Sequence, residues 1–202
     1  MTATIVEWWR PPALGLAAVV LGMPAASAQT MTFAERLQLC GTCHGEDGNS
    51  RMEKIPSLAG QPAFYILNQL FLMREGVRQV EAMAPFVKEL KDEDLTALSD
   101  HYARLAPRRS DEAVDPALAR RGARIAEVRR CGSCHLPTLA GQDQMPRLAG
   151  QRIDYLVPTL QSYRDRPRPG ADTAMSAAIV GATDDDIKAL AHYAAQLSGK
   201  RS

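Results

Sequence analysis

Apolar side chains along this chain fall at helical intervals in three stretches, and the set of three occurs twice. In the first set, Phe33, Leu37 and Cys40 are spaced three to four residues apart. A dense apolar run then fills 62–74, and Leu95, Leu98 and Tyr102 follow at i, i+3 and i+7. The second set has Leu118, Ile125 and Val128, then the run 153–164, then Ile187, Leu190 and Ala194. Each recurrence predicts a helix with one apolar stripe. The expected helices are 32–43, 62–74 and one from about Asp92, then 116–134, 153–164 and one from about Thr183. Acidic triplets, Asp92-Glu93-Asp94 and Asp184-Asp185-Asp186, open the last helix of each set, where they complement the positive end of the helix dipole. No stretch alternates with a period of two, so the expected fold class is all-α.

The repeat has a period of about 90 residues and reaches beyond hydropathy. Ile55-Pro-Ser-Leu-Ala-Gly-Gln61 matches Met145-Pro-Arg-Leu-Ala-Gly-Gln151. Phe64-Tyr65-Ile66-Leu67 matches Asp154-Tyr155-Leu156-Val157, and His101-Tyr102 matches His192-Tyr193. This reads as a tandem duplication, with one domain over 29–106 and a second over 117–202. Between them, 107–116 forms a charged connector bounded by prolines. Asp115 and Pro116 suit the N-cap and first position of the helix that follows.

Residues 1–28 read as an export signal. The apolar run Ala13–Met23 precedes Pro24 and the small-residue site Ala26-Ser27-Ala28, which predicts cleavage after Ala28. The apolar run is short for a membrane span, and no other stretch is long enough, so a soluble exported protein is expected. Formal net charge is +1, which argues against nucleic-acid binding. The charge is uneven. Residues 29–106 hold 8 Lys and Arg against 11 Asp and Glu, and 107–202 hold 15 against 11. Such a difference could orient the protein on a partner.

All four cysteines lie in two copies of one pattern, Cys40-Gly-Thr-Cys43-His44 and Cys131-Gly-Ser-Cys134-His135. C-x-x-C-H is the attachment pattern for covalent haem. Residues i, i+3 and i+4 share one helix face, so two thiols can bond the two vinyl groups of one haem while the histidine reaches its iron. A redox disulfide or a zinc site is the competing use of such pairs. The repetition, with histidine directly after the second cysteine, favours two haem c groups. No cysteine is then left for a disulfide. A segment of this size has little core of its own, so haem-free chain is expected to fold poorly.

His44 and His135 are the proximal ligands by motif. For the sixth position, Met83 and Met175 stand 39 and 40 residues after those histidines, in loop-like stretches, and they recur as methionine where Met52 and Met73 do not. A thioether favours ferrous iron and raises the potential. Core filling by these methionines and bis-histidine ligation through His101 and His192 are the alternatives. The carbonyls of Pro56 and Pro146 could accept the histidine Nδ1–H. Gln61 and Gln151, or Tyr65 and Tyr155, are candidates to hydrogen-bond propionates.

Together, the duplicated CxxCH, the matching Pro-x-Leu-Ala-Gly-Gln segments, the tyrosine-bearing middle helices and the late methionines resemble the dihaem cytochrome c4 family over nearly all of 29–202. The second motif departs from the first, continuing Leu136-Pro137 where the first continues Gly45-Glu46. The resemblance implies two class I cytochrome c domains related by a pseudo-twofold axis, with His44/Met83 and His135/Met175 ligation. It also implies a monomeric periplasmic carrier of single electrons in a respiratory chain. Its partners would be redox proteins, chiefly a terminal oxidase, with loose association with a membrane complex as an option. A cytochrome subunit of a flavoprotein sulfide dehydrogenase is the alternative role. No motif of a hydrolytic or phosphate-transferring enzyme is present.

Overall fold

The computed structural model describes residues 31–166, 169–170 and 172–198; the expected export signal lies outside them. Four helices make the N-terminal half: α1 (Phe33–His44), α2 (Ala63–Arg74), α3 (Ala84–Val87) and α4 (Asp92–Arg104). Among the described residues of the C-terminal half there are five: α5 (Pro116–Val128), α6 (Gly132–His135), α7 (Ile153–Asp165), α8 (Thr173–Ile179) and α9 (Asp184–Gln196). Among the described residues there is no β-strand, only one isolated bridge between Gln142 and Met145. The all-α reading and the duplication both hold. No described helix is long and apolar enough to cross a membrane.

Local chemistry sets most of the helix starts. Thr32 and Glu35 form a capping box at α1, and Thr183 and Asp186 form one at α9. Asp115 caps α5 by accepting from the Ala117 and Leu118 N–H groups, with Pro116 in the first turn, as the sequence predicted. Each half then closes its own apolar core. In the first, Ile66, Val87, Leu90, Leu95, Leu98 and Tyr102 pack together, with Cys40 and Met83 at the edge. In the second, Ala126, Leu160, Ile179, Ala182, Ile187 and Leu190 do so, with Cys131 and Met175 at the edge.

Two expectations change. The predicted helix 116–134 is two helices. Arg130 takes a left-handed φ of 57°, the Cys131 N–H bonds Ala126 O, and the Arg130 N–H bonds Glu127 O. That is a Schellman closure, and it ends α5 before the motif begins. The stretches holding the late methionines are also partly helical. Met83 is the N-cap of α3, and Met175 lies inside α8, whose N-cap Asp172 accepts from the Ala174 N–H.

The connector 107–116 is pinned rather than loose. Asn49 reaches it from the first half, accepting from the Arg108 N–H and donating to Ala106 O. Glu112 accepts from the Ile153 and Asp154 N–H groups, so a connector carboxylate caps the first turn of α7.

Candidate functional site

The last turn of α1 carries Cys40, Cys43 and His44. In the second half Cys131 is the N-cap of α6, and Cys134 and His135 complete that short helix. Both histidines are buried, at 7% and 6% exposure. His44 Nδ1 lies 2.9 Å from Pro56 O, and His135 Nδ1 lies 2.8 Å from Pro146 O. A carbonyl can only accept, so Nδ1 carries the proton in each ring. Nε2 is left with its lone pair, the form a metal ligand needs. Burial holds both imidazoles below the usual histidine range, which keeps them neutral. Burial likewise pushes the Cys40 and Cys131 thiols up, so both remain protonated in the haem-free chain.

The remaining candidates sort cleanly. Met83 packs with Cys40 against one core, and Met175 packs with Cys131 against the other, so each methionine reaches the same cluster as its motif. His192 Nδ1 accepts the Asp115 N–H at 3.1 Å, tying α9 to the connector. His101 meets Phe33 and Tyr102 edge-on in aromatic contacts. Tyr65 and Tyr155 stand in the first turns of α2 and α7.

The glutamines do something the sequence did not suggest. Gln61 donates from Nε2 to Arg147 O and accepts the Arg147 N–H on Oε1, both at 2.9 Å. Gln151 treats Ser57 the same way, at 3.0 and 2.8 Å. Ser57 and Arg147 are equivalent positions in the repeat, so the two glutamines form a reciprocal pair of staples between the halves. One Nε2 hydrogen and one Oε1 lone pair of each glutamine are thereby committed to backbone groups across the interface.

Two arginines were also missed as site builders. Arg74, at the end of α2, donates to Leu90 O and Asp92 Oδ1 at 3.0 and 2.7 Å. Arg164, near the end of α7, donates to Ala182 O at 2.9 Å and pairs with Asp184 Oδ1 at 2.8 Å. Each ties the middle helix to the start of the last one and so closes the segment that carries the methionine. Their recurrence at the end of both middle helices was the available signal.

The donor set fits covalent haem. Each half offers two thiols and a neutral, oriented imidazole on adjoining turns, with a thioether packed against the same core. Among the described residues, Arg36 Nε, Arg78 Nε and Ser176 Oγ are buried without a hydrogen-bond partner. Zinc fits less well: among the described residues no three His, Cys, Asp or Glu side chains are placed together to hold a metal ion.

Comparison with known proteins agrees with the geometry. A cytochrome c family model matches residues 119–198, and a model described as cytochrome c oxidase, cbb3-type, subunit III matches 24–101. Cytochrome c4 of Pseudomonas aeruginosa is 31% identical, covering 85% of this chain and 90% of that protein. A thiosulfate dehydrogenase electron acceptor of Stutzerimonas stutzeri is 30% identical and covers 98% of both chains. The crystal structure of reduced recombinant cytochrome c4 from Pseudomonas stutzeri superimposes with a TM-score of 0.75 at 30% identity, covering 82% of this chain and 96% of that one. Two cytochrome c domains with CxxCH motifs mean that this chain carries two covalent haem c groups.

Proposed function

The chain belongs to the cytochrome c4 family of electron carriers, and from that premise we propose that it is a periplasmic shuttle passing single electrons toward a terminal oxidase. In this reading residues 1–28 direct export and are removed after Ala28. The mature protein is a monomer with cytochrome c domains over 29–106 and 117–202. One haem is held by Cys40, Cys43, His44 and Met83, the other by Cys131, Cys134, His135 and Met175. When bound, each haem supplies a one-electron ferrous–ferric couple.

The residues of the chain do the rest. The thiols fix each macrocycle covalently. The Pro56 and Pro146 carbonyls hold the imidazoles in one tautomer and orientation. The Arg74 and Arg164 clamps hold the methionine segments closed, so that ligation need not change with oxidation state. The opposite charge imbalance of 29–106 and 107–202 steers a partner to one end of the molecule. The observation that carries the reading is that Met83 and Cys40 pack against one core and Met175 and Cys131 against the other, which supports a His/Met site in each half.

A redox titration of the mature holoprotein, followed through the methionine–iron charge-transfer band, tests it. Two high-potential one-electron transitions with the band present are expected. Met83→Ala and Met175→Ala should each remove the band from one haem and lower that haem's potential. If both variants kept the wild-type band and midpoints, the ligand assignment would be wrong.

A second reading rests on the thiosulfate dehydrogenase electron acceptor that matches over 98% of both chains. Here the same two haems take electrons from a sulfur-oxidising dehydrogenase. Stopped-flow reduction by such an enzyme, compared with oxidation by a cytochrome oxidase, separates the two by which step is fast.

A further inference from the structure

The two glutamine staples end on the same peptide groups that orient the iron-facing histidines. Pro56 O accepts the His44 Nδ1–H, and the N–H of that same peptide unit, on Ser57, donates to Gln151 Oε1. In the mirror arrangement Pro146 O accepts from His135, and the Arg147 N–H donates to Gln61 Oε1. Each glutamine's Nε2 makes a second bond to the carbonyl of the same residue, Ser57 or Arg147, which fixes the orientation of its amide. Both glutamines are 4% exposed, so water does not compete for these bonds.

We propose that Gln61 and Gln151 are positioning residues through which each half sets the redox potential of the other half's haem. The proposal rests on His44 and His135 being the proximal ligands. The physics is polarisation along a hydrogen-bonded chain. A peptide whose N–H is donated to an amide oxygen has a more negative carbonyl oxygen. That oxygen accepts more strongly from Nδ1–H, which makes the imidazole a more basic ligand and favours ferric iron. Each staple therefore lowers the potential of the haem across the interface, and docking of the halves is written into both iron sites.

The direction is crossed, and that makes it testable. In the holoprotein, Gln151→Leu should raise the midpoint of the haem at Cys40 and Cys43 and leave the haem at Cys131 and Cys134 unchanged. Gln61→Leu should do the reverse. Each shift should be about a twofold change in the reduced-to-oxidised ratio of the affected haem at fixed applied potential. Haem-methyl NMR of partly reduced samples assigns the midpoints. The Nδ1–H resonance of the affected histidine should move upfield as its hydrogen bond weakens, a readout independent of potential. If one variant fails to fold, its mirror still tests the crossing.

Unchanged midpoints, a shift on the variant's own haem, or equal shifts on both haems would overturn the proposal; the last would report only lost docking. A wild type lacking the His/Met spectrum would instead sink the ligand assignment beneath it. A normal wild type with no crossed shift sinks this inference alone.

Discussion

The two halves of the molecule present the same donors on different scaffolds. In the first, α1 runs unbroken through Cys40 and His44, and Gly45 follows with φ 84°. In the second, the chain leaves α5 through a Schellman turn and re-enters α6 at the motif. Leu136 then takes the place of Gly45, with φ 68° and ψ 155°. The first helix also meets the last one differently. α1 touches α4 through side chains, with Phe33 against His101 and Arg36 near Asp94. α5 lies backbone to backbone on α9, with Gly122 against Ala189. Arg152, 5% exposed, joins Asp111, Glu112 and Asp154 in an ion cluster, where the first half has Pro62. What survives these changes is the histidine–proline carbonyl bond and the glutamine staple. The site therefore depends on a few fixed hydrogen bonds and tolerates several ways of supplying the helices around them.

The close crossing should be the most sensitive point of the asymmetry. A Cβ on Gly122 would sit 2.0 Å from the Ala189 carbonyl oxygen, a backbone atom that cannot swing aside. Gly122→Ala must push α5 off α9 and should cost about 3 kcal/mol or more, at the upper end for overpacking. Met31, nine residues before Cys40 as Gly122 is before Cys131, is exposed, and Met31→Ala should cost less than about 0.5 kcal/mol. Guanidinium unfolding of the two holoprotein variants checks the difference. Similar losses would mean that the halves are held alike.

The residue after each histidine should give a smaller effect of opposite sign. Leu136 occupies a backbone region reached almost only by glycine, which costs about 1–3 kcal/mol. Leu136→Gly should therefore stabilise the second half by about 1 kcal/mol, after the added entropy of an unfolded glycine is subtracted. Gly45→Ala should destabilise the first, because its Cβ would fall 2.4 Å from Asn49 O. Denaturant midpoints of both variants settle the sign. A loss on Leu136→Gly would show that packing of the leucine outweighs its strain.

Legibility in the sequence followed the range of the interaction. The CxxCH turns, the capping boxes at Thr32 and Thr183 and the long amphipathic helices depend on neighbours within about one turn, and periodicity finds them. The Pro56 and Pro146 acceptors lie 12 and 11 residues from their histidines and were reachable because the repeat placed both prolines alike. The glutamine staples span 86 and 94 residues, so no local pattern could separate an interface bond from a propionate bond. α3 and α8, of four and seven residues, are too short to show a helical period. The end of α5 was hidden because an arginine, Arg130, holds the left-handed position that a glycine would have announced.

The smallest expected difference lies in the paired histidines of the last helices. In the proposed ligation His44 and His135 are held by iron, which leaves His101 and His192 to titrate. Burial lowers the pKa of both. For His192, Lys188 adds to the lowering while Asp115 and Glu112 oppose it; for His101, Arg104 adds to the lowering. A histidine with a lowered folded pKa binds its proton more readily in the unfolded chain. Stability should therefore fall as pH drops below the ordinary value of about 6.5 and continue falling toward the folded pKa. The loss should be steeper for His192, whose Nδ1 must stay unprotonated to accept the Asp115 N–H, than for His101, which makes edge-on ring contacts. Denaturant midpoints measured from pH 7.5 down to about 5.5 should show a slope that His192→Gln reduces more than His101→Gln does. Equal reductions would mean that the connector bond adds nothing to the burial of the ring, and that the C-terminal half is no more tightly tied to its connector than aromatic packing ties α4 to α1.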